Sequence, residues 1–327
     1  MNIRKNSATG SAPAKVILFG EHFVVYKNPA ILASIDRRVN ISVQLNNTEH
    51  IVIKSNLGII AAYTASKFKL IKGRKNAKKI LDPLYKSVMA ILSERNHHSG
   101  INIDLTSEVP YGIGLGTSAA CCVAIVAAVD SLFRQPDKEW ICTKAVQSEN
   151  LIHKNSSGAD CYVSTYGGLI YYTKKDGFKR IESRKDLPLI IINTGLRHYT
   201  GALVSSVRRI RDNNMSLFED LAKRANRICL NAVAAINAGN EKEIGALMTE
   251  NHMLLQKIGV SNKKIDQIID ICIDNGAFGA KLTGAGGGGS IIALMPHKYQ
   301  VNIIDEIKKN RYECIPINID YDGLLIH

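Results

Sequence analysis

Apolar and polar positions follow two different spacings along the chain, and together they predict alternating strands and helices. Apolar residues alternate with polar ones over 101–105, a spacing typical of a strand with one buried face. Over 80–97 the apolar residues recur every three or four positions, which predicts an amphipathic helix. A run of small and apolar residues from position 117 to Phe133 predicts a second helix after that strand.

The remaining elements follow from the same spacings and from the turn residues between them. Strands are expected at residues 12–20, in two or so segments of 31–45, and at 51–53, 169–172, 187–192, 280–282, 290–295 and 313–319. Helices are expected at residues 136–152, in two or three segments of 202–256, and at 265–275 and 301–309. Residues 54–79 are polar and rich in lysine, and we expect a mobile loop region there.

The length of the chain favours two domains. Its 327 residues can bury a large core, and chains of this size usually divide. The apolar strand that begins at Leu187 marks the start of the second domain. Residues 1–185 and 186–327 are therefore predicted to form the N-terminal and C-terminal domains.

Composition indicates an ordinary soluble globular protein. Hydrophobic residues make up 46% of the chain and charged residues 22%. No apolar run is long enough to cross a bilayer, and the first residues lack the apolar core of a signal peptide. We therefore expect a cytoplasmic protein with no membrane partner.

The seven cysteines favour neither a zinc site nor a disulfide framework. None of them forms a C-x-x-C pair, and most lie among apolar neighbours. We expect buried free thiols. The residues concerned are Cys121, Cys122, Cys142, Cys161, Cys229, Cys272 and Cys314.

The net charge of +13 is compatible with an anionic partner. Basic residues are spread along the chain, with local clusters at 67–79 and 208–211, and no basic patch with interleaved aromatic residues is present. A basic enzyme with polyanionic and carboxylate substrates explains the sign of the charge as well as nucleic acid does.

A glycine-rich loop at residues 110–120 is the strongest chemical signal in the chain. Gly112, Gly114 and Gly116 alternate between the strand at 101–105 and a helix whose N-cap lies near Thr117 or Ser118. Glycines let the backbone approach a ligand, and the unpaired N–H groups of a first helical turn attract phosphate. The loop matches neither the Walker A nor the Rossmann pattern, and a tight turn that packs the helix on a sheet remains the alternative.

Two further stretches, at residues 12–26 and 281–289, accompany this loop. Together the three stretches resemble the motifs of the GHMP kinases, and the first stretch looks most like the mevalonate kinases. The resemblance runs from about Ser11 to Ile292. It implies an α+β GHMP kinase fold, with an N-terminal part like ribosomal protein S5 domain 2, a ferredoxin-like C-terminal part and the active site between them.

The resemblance also implies the residues of the phosphoryl-transfer site. Asp160 would be the catalytic carboxylate, Lys15 would lie beside the transferred phosphoryl group, and Ser118 and Glu149 would hold Mg²⁺. The expected ATP-binding residues are Pro110, Gly112, Gly114, Leu115, Gly116, Thr117, Ser118 and Ala119. Taken without the resemblance, an Asx-turn residue is the favoured interpretation of Asp160, and a solvated strand residue is the alternative for Lys15.

The acceptor implied by the resemblance is mevalonate. The residues expected to bind it are Glu21, His22, Asp160, Thr283 and Gly284. The implied reaction is ATP-dependent phosphorylation of the 5-hydroxyl of (R)-mevalonate in isoprenoid biosynthesis. The family is also compatible with a homodimer. Without the resemblance, a turn pair at 21–22 and a flexible linker at 283–289 are the alternatives.

Two other functions remain open from the sequence. One is another GHMP kinase, such as a mevalonate 3-kinase or a phosphomevalonate kinase. The other is a basic nucleic-acid-binding module, because S5-like folds also occur in ribosomal proteins. Nothing in the latter hypothesis accounts for Lys15, Glu149 and Asp160 in their family contexts, so we expect no nucleic-acid partner.

The chain departs from the mevalonate kinase pattern at two places. Those kinases commonly have a basic residue, a Ser-Thr pair and then a lysine where this chain has Tyr-Thr-Gly at 199–201. Arg197 or His198 is expected to compensate for the missing lysine. Phe23 replaces the small residue usual in the first stretch, and we expect it to narrow or reshape the substrate pocket.

Overall fold

The structure, a computed structural model, describes residues 5–64, 67–110, 112–151, 156–196 and 200–327. It contains a nine-stranded sheet and a four-stranded sheet, with helices packed against both. The predicted α+β class is confirmed. No helix in the described ranges is both long and apolar enough to cross a bilayer.

The elements, in chain order, follow. The strands are β1 Ser7–Phe19, β2 Ala30–Leu45, β3 His50–Ser55, β4 Ile59–Thr64, β5 Lys67–Lys72, β6 Ile101–Ser107, β7 Leu169–Thr173, β8 Gly177–Ile181, β9 Leu189–Asn193, β10 Gly279–Thr283, β11 Ser290–Leu294, β12 Glu313–Ile317 and β13 Leu325–Ile326. The helices are α1 Ala77–Glu94, α2 Thr117–Asp130, α3 Lys138–Asn150, α4 Ala159–Tyr166, α5 Thr200–Asn213, α6 Met215–Ala238, α7 Glu241–Lys257, α8 Lys263–Asp274 and α9 Gln300–Lys309. Short 3₁₀ turns lie at Phe23–Tyr26 and His297–Tyr299.

The first sheet is built around the long antiparallel pair of β1 and β2. Its strand order is β13-β1-β2-β6-β3-β4-β5, and β3 runs parallel to β6. Strand β2 changes partner along its length: residues 39–45 pair with β6 and residues 30–33 with β7, which continues to β8. Helix α2 packs against β1 and β2 with nearly all of its side chains buried, which explains why its sequence is apolar on every side.

The second sheet has the antiparallel order β10-β11-β9-β12 and packs against helices that include α7 and α8. Its apolar residues form one continuous cluster with residues of the first half of the chain, such as Val16 and Leu18 of β1. Because a shared core resists relative movement of the two sheets, the cleft between them has a defined shape.

Residues 319–327, which we call the C-terminal strap, return from the second sheet to the first. Ile319 bridges Ile35, and β13 pairs with β1. Arg38 forms an ion pair with Asp320, near the start of the strap, and donates to the main-chain carbonyls of Ser11 (2.9 Å) and Gly323 (2.5 Å). The strap therefore fixes the strand that carries the first sequence motif.

The structure corrects the prediction for residues 54–79. They form β4, β5 and the start of α1 instead of a mobile loop region. Ile59, Ala61 and Tyr63 of β4 face the core. Strand β5 is a lysine-rich edge strand in which Phe68 and Leu70 are only half-buried, so its polar composition hid its weak alternation. The helix α4 was also missed, because Ser, Gly and Asp at its start are typical of turns.

We expect Arg38→Met to lower the free energy of unfolding by about 3–5 kcal/mol, because it leaves the buried carboxylate of Asp320 without its cation. Urea unfolding would measure the change. Lys54→Met is the matched control: its ion pair with Asp104 is mostly exposed to solvent, so we expect a loss below about 1 kcal/mol. Equal losses in the two variants would contradict a stabilising role for the strap.

Candidate active site

Two glycine loops meet between the sheets. The first loop, residues 112–116, joins β6 to α2, and the second loop, residues 284–289, joins β10 to β11. The hydroxyl of Ser290 donates to the carbonyl of Ile113 at 2.8 Å. A Cβ added to Gly284 would lie 3.5 Å from the carbonyl oxygen of Gly114. The fold thus brings the second and third sequence motifs into contact.

The first loop presents the N-terminus of α2 to the cleft. Gly112, Gly114 and Gly116 all have positive φ, at 87°, 82° and 68°, as the prediction of a phosphate-binding loop requires. Gly116 is the N-cap of α2, and among the described residues no side-chain hydrogen bond caps that helix. Its N–H groups are consequently available to an anion, which the helix dipole also attracts.

The other predicted nucleotide residues lie along the same segment. Pro110 is exposed, whereas Leu115 and Ala119 are buried, so these last two can meet a nucleotide only through their backbone. Thr117 and Ser118 occupy the first turn of α2. The residues predicted to bind ATP therefore lie on one continuous segment of the chain. Their contacts with ATP remain predictions.

Lys15 and Asp160 form an ion pair beside the first loop. The Lys15 ammonium lies 3.1 Å from a carboxylate oxygen of Asp160, and the Lys15 side chain is 5% exposed while that of Asp160 is 30% exposed. Asp160 is in the first turn of α4, behind the positive φ of Gly158. The structure brings together two residues 145 positions apart, which the sequence linked only through family resemblance.

Gly116 is needed for the position of Lys15. The backbone N–H of Lys15 donates to the carbonyl of Leu115 at 2.9 Å, so β1 is bonded directly to the loop. A Cβ on residue 116 would lie 2.6 Å from Cγ and 2.7 Å from Cε of Lys15. Only glycine leaves space for the lysine side chain to pass beneath the loop toward Asp160.

Ser118 and Glu149 supply oxygen atoms suited to Mg²⁺. The Ser118 hydroxyl is buried and has no protein hydrogen-bond partner among the described residues. Glu149 is buried and accepts hydrogen bonds from Ser156 (2.5 Å) and from the thiol of Cys161 (3.4 Å). Glu149 lies in α3, which packs against α2. Burial raises the pKa of Cys122, one turn after Ser118, and the negative charge of Glu149 raises it further.

Within the described ranges no three His, Cys, Asp or Glu side chains converge into a metal cluster. One carboxylate and one hydroxyl nevertheless fit Mg²⁺, which commonly takes few protein ligands and completes its octahedron with phosphate oxygens and water. The donor set therefore suits a metal that arrives with a nucleotide.

Glu21 follows β1, and its carboxylate is fully buried in an ion pair with Lys281 of β10. Asn251 of α7 donates to the same carboxylate at 3.4 Å and accepts from the N–H of Gly20 at 3.3 Å. Burial raises the pKa of Glu21 and lowers that of Lys281, and each partner's charge opposes the other's shift. The pairing of Lys281 was not predicted from the sequence, although a lysine between Ala280 and Leu282 in a strand whose five residues are all buried is unusual.

His22 has an unusual backbone and a defined ring proton. Its φ of 61° lies in the left-handed region, which is uncommon for residues other than glycine. Its Nε2 lies 2.8 Å from the carbonyl of Ala285 in the second loop. Because a carbonyl only accepts, Nε2 must carry the proton. Burial lowers the pKa of His22, so the ring is neutral near pH 7.

Thr283 connects the second loop to β1. Its hydroxyl donates to the carbonyl of Ile17 and accepts from the N–H of the same residue, both at 3.0 Å. The hydroxyl is thus already engaged by protein, while Gly284 lies next to the first loop. The roles of Thr283 and Gly284 in binding the acceptor stay predicted.

The two departures from the family pattern have different outcomes. Phe23 is fully buried, and its ring packs 5.6 Å from that of Phe218 in α6. This contact gives the large side chain a place in the core between the halves of the chain. Arg197, His198 and Tyr199 lie outside the described residues, and Gly201 is in the first turn of α5.

Comparison with known proteins identifies the family. Residues 83–168 match the model of the GHMP kinases N terminal domain, and residues 232–313 match that of the GHMP kinases C terminal. A mevalonate kinase of Pyrococcus abyssi is 36% identical over 298 residues, covering 88% of each chain. A mevalonate kinase of Thermococcus sibiricus is 34% identical and covers 97% of each chain. The L. major mevalonate kinase, solved in complex with R-mevalonate, is 26% identical, covers 96% of each chain and superposes with a TM-score of 0.81.

We expect Gly116→Ala to reduce activity far more than Gly112→Ala. Both substitutions place a side chain at positive φ, at a cost of about 1–2 kcal/mol. At 116 the methyl group also displaces Lys15, so kcat should fall at least about tenfold further. At 112 no described atom lies within 4 Å of the added methyl group.

Steady-state ADP release, together with the melting temperature of each variant, tests this expectation. Both melting temperatures should fall because of the backbone strain at positive φ, and that of Gly116→Ala should fall further because its methyl group also displaces Lys15. Matching activities of the two variants would show that Lys15 does not depend on the space at residue 116.

Proposed function

The chain belongs to the GHMP kinases and, within them, to the mevalonate kinases, and from this premise we propose that it transfers the γ-phosphoryl group of ATP to the 5-hydroxyl of (R)-mevalonate. ATP-dependent phosphorylation of mevalonate is the activity of the relatives that match it over most of their length. The observation that carries the proposal is the Lys15–Asp160 pair, which lies beside the phosphate-binding loop and has its carboxylate partly open to the cleft.

In the proposed reaction Asp160 is the general base. As the acceptor oxygen attacks the γ-phosphorus, its O–H bond breaks and the proton passes to the Asp160 carboxylate. The bond between the γ-phosphorus and the bridging oxygen breaks at the same time, and ADP leaves. Lys15 holds Asp160 in place and offsets the negative charge on the transferred group.

The N-terminus of α2 binds the triphosphate in this proposal. Its N–H groups, with the dipole of a 14-residue helix behind them, stabilise the negative charge of the β- and γ-phosphates. Binding and positioning account for most catalysis of phosphoryl transfer, since the transition state is loose and needs little covalent assistance. The rigid contact between the two glycine loops serves this positioning.

We assign Mg²⁺ to Ser118 and Glu149. When bound, the metal neutralises phosphate charge and orients the γ-phosphoryl group. The buried hydroxyl of Ser118, which has no hydrogen-bond partner in the part of the chain that the structure describes, supports this assignment, because a polar group without a partner is costly unless a ligand satisfies it.

The experiment that tests the function is ADP release with MgATP and (R)-mevalonate, followed by ³¹P NMR of the product. We expect turnover and a 5-phosphate. A 3-phosphate would keep the site and move the acceptor hydroxyl, as in a mevalonate 3-kinase. Turnover with 5-phosphomevalonate and none with mevalonate would favour a phosphomevalonate kinase and overturn the proposal.

Asp160→Asn should lower kcat by about 10²–10⁴-fold, because the amide cannot accept the hydroxyl proton. Nucleotide affinity, measured by titration with MgATP, should change little, since Asp160 contacts the acceptor side of the site. Asp176→Asn, in the surface turn between β7 and β8, is the control and should retain full activity. Near-normal turnover by Asp160→Asn would remove Asp160 from the role of base.

Ser118→Ala should raise the Mg²⁺ concentration needed for half-maximal activity by at least about tenfold, because one ligand oxygen is lost. Ser164→Ala is the matched control. Ser164 in α4 also has a buried hydroxyl without a described hydrogen-bond partner, but it is not part of the phosphate loop. A similar shift in both variants, read from Mg²⁺ titrations of activity, would contradict the metal assignment.

A further inference from the structure

The ion pair of Glu21 and Lys281 is the most deeply buried charge pair in the described part of the chain. Both side chains are 0% exposed. The pair joins the turn after β1, in the N-terminal half, to β10 in the C-terminal half. Burying two charges is costly unless each is paired and hydrogen-bonded, so a pair kept at this position requires an explanation.

Further hydrogen bonds fix the pair and the turn that contains Glu21. Lys281 also donates to the carbonyl of Leu282 at 2.7 Å, which fixes its ammonium. Asn251 bonds both the Glu21 carboxylate and the backbone N–H of Gly20. The turn at residues 20–22 is therefore held from the C-terminal half by side chains of β10 and α7.

His22 depends on this turn. Its φ of 61° and ψ of −46° form a sparsely populated backbone combination that costs about 1 kcal/mol or more unless surrounding contacts maintain it. Its ring is bonded to Ala285, four residues beyond Lys281 on the same segment of chain. The Glu21–Lys281 pair and the His22–Ala285 bond thus connect one turn to one loop at two adjacent points.

We infer that Lys281 is a positioning residue: through Glu21 it holds the turn that presents His22, and it thereby sets the affinity for the carboxylate-bearing acceptor without touching it. This inference rests on the proposed function, in which the turn at 20–22 faces mevalonate. It changes the role of Glu21, whose fully buried carboxylate acts on the acceptor through the backbone of the turn.

The experiment compares Lys281→Met, Glu21→Gln and the double variant. Each single change leaves one buried group without its partner, so the melting temperature should fall. The double variant leaves no charge unpaired, so its melting temperature should recover toward that of the unchanged protein. The KM for mevalonate should rise about tenfold or more in all three, because the charged connection to the turn is lost in all three.

The KM for ATP, measured in each variant, is the internal control for the KM for mevalonate. It should stay within about twofold, because the phosphate loop is held by other contacts, namely those of Ile113 and Leu115. A purely structural role would move the two KM values together and would restore both when the melting temperature recovers. Recovery of the mevalonate KM in the double variant would therefore overturn the inference.

The double variant of Arg95→Met and Arg134→Met is the matched control. Arg95 and Arg134 both form ion pairs with the fully buried Asp130, which ends α2 about 20 Å from the first glycine loop by the rise of the helix. We expect a lower melting temperature and an unchanged KM for mevalonate. A raised mevalonate KM in the double variant of Arg95→Met and Arg134→Met would show that general destabilisation explains the effect.

The unchanged protein separates this inference from the proposed function. If it fails to turn over mevalonate, the proposed function fails before any variant is measured. If it turns over mevalonate and the three variants keep its KM, only the positioning role of Lys281 is overturned.

Discussion

One cation in a confined space determines the rest of this site. Lys15 must reach Asp160 from β1, and its path passes beneath residue 116, where a single Cβ would block it. The same residue needs a positive φ to begin α2, so glycine satisfies a steric and a conformational requirement at once. Strand β1, the first glycine loop and helix α4 are thereby fixed relative to one another within a few ångströms, the precision that phosphoryl transfer requires.

The cleft is assembled from contacts between the two halves of the chain. Thr283 bonds β1, His22 bonds the second glycine loop, and Ser290 bonds the first one. These polar contacts lie at the edge of an apolar core that is continuous across both sheets. Together they explain how a site between two sheets keeps its shape. The apolar core holds the two sheets together, and the directional hydrogen bonds fix the position of each loop relative to β1 and to the other loop.

The glycine loops, the amphipathic face of α1 and the apolar run of α2 could be predicted from the sequence, because each has a local spacing that identifies it. It did not contain the pairing of Lys281 with Glu21, since that depends on a chain separation of 260 residues. Strand β5 was not predicted because its lysines are exposed to solvent at a sheet edge. Helix α4 was not predicted because the residues at its start are typical of a turn. The family resemblance supplied Asp160; composition alone favours a turn residue there.

The first sheet can be completed only late in synthesis, because one of its strands lies in the C-terminal strap. Residues 319–327 complete the sheet that contains Lys15, and the strap contacts the end of α4, where Leu324 bonds Thr165. A ribosome makes this segment after the whole second sheet. During synthesis the N-terminal half therefore has an unpaired sheet edge at β1 until the strap has emerged from the ribosome. That edge can bind chaperones or pair with a wrong strand in the meantime.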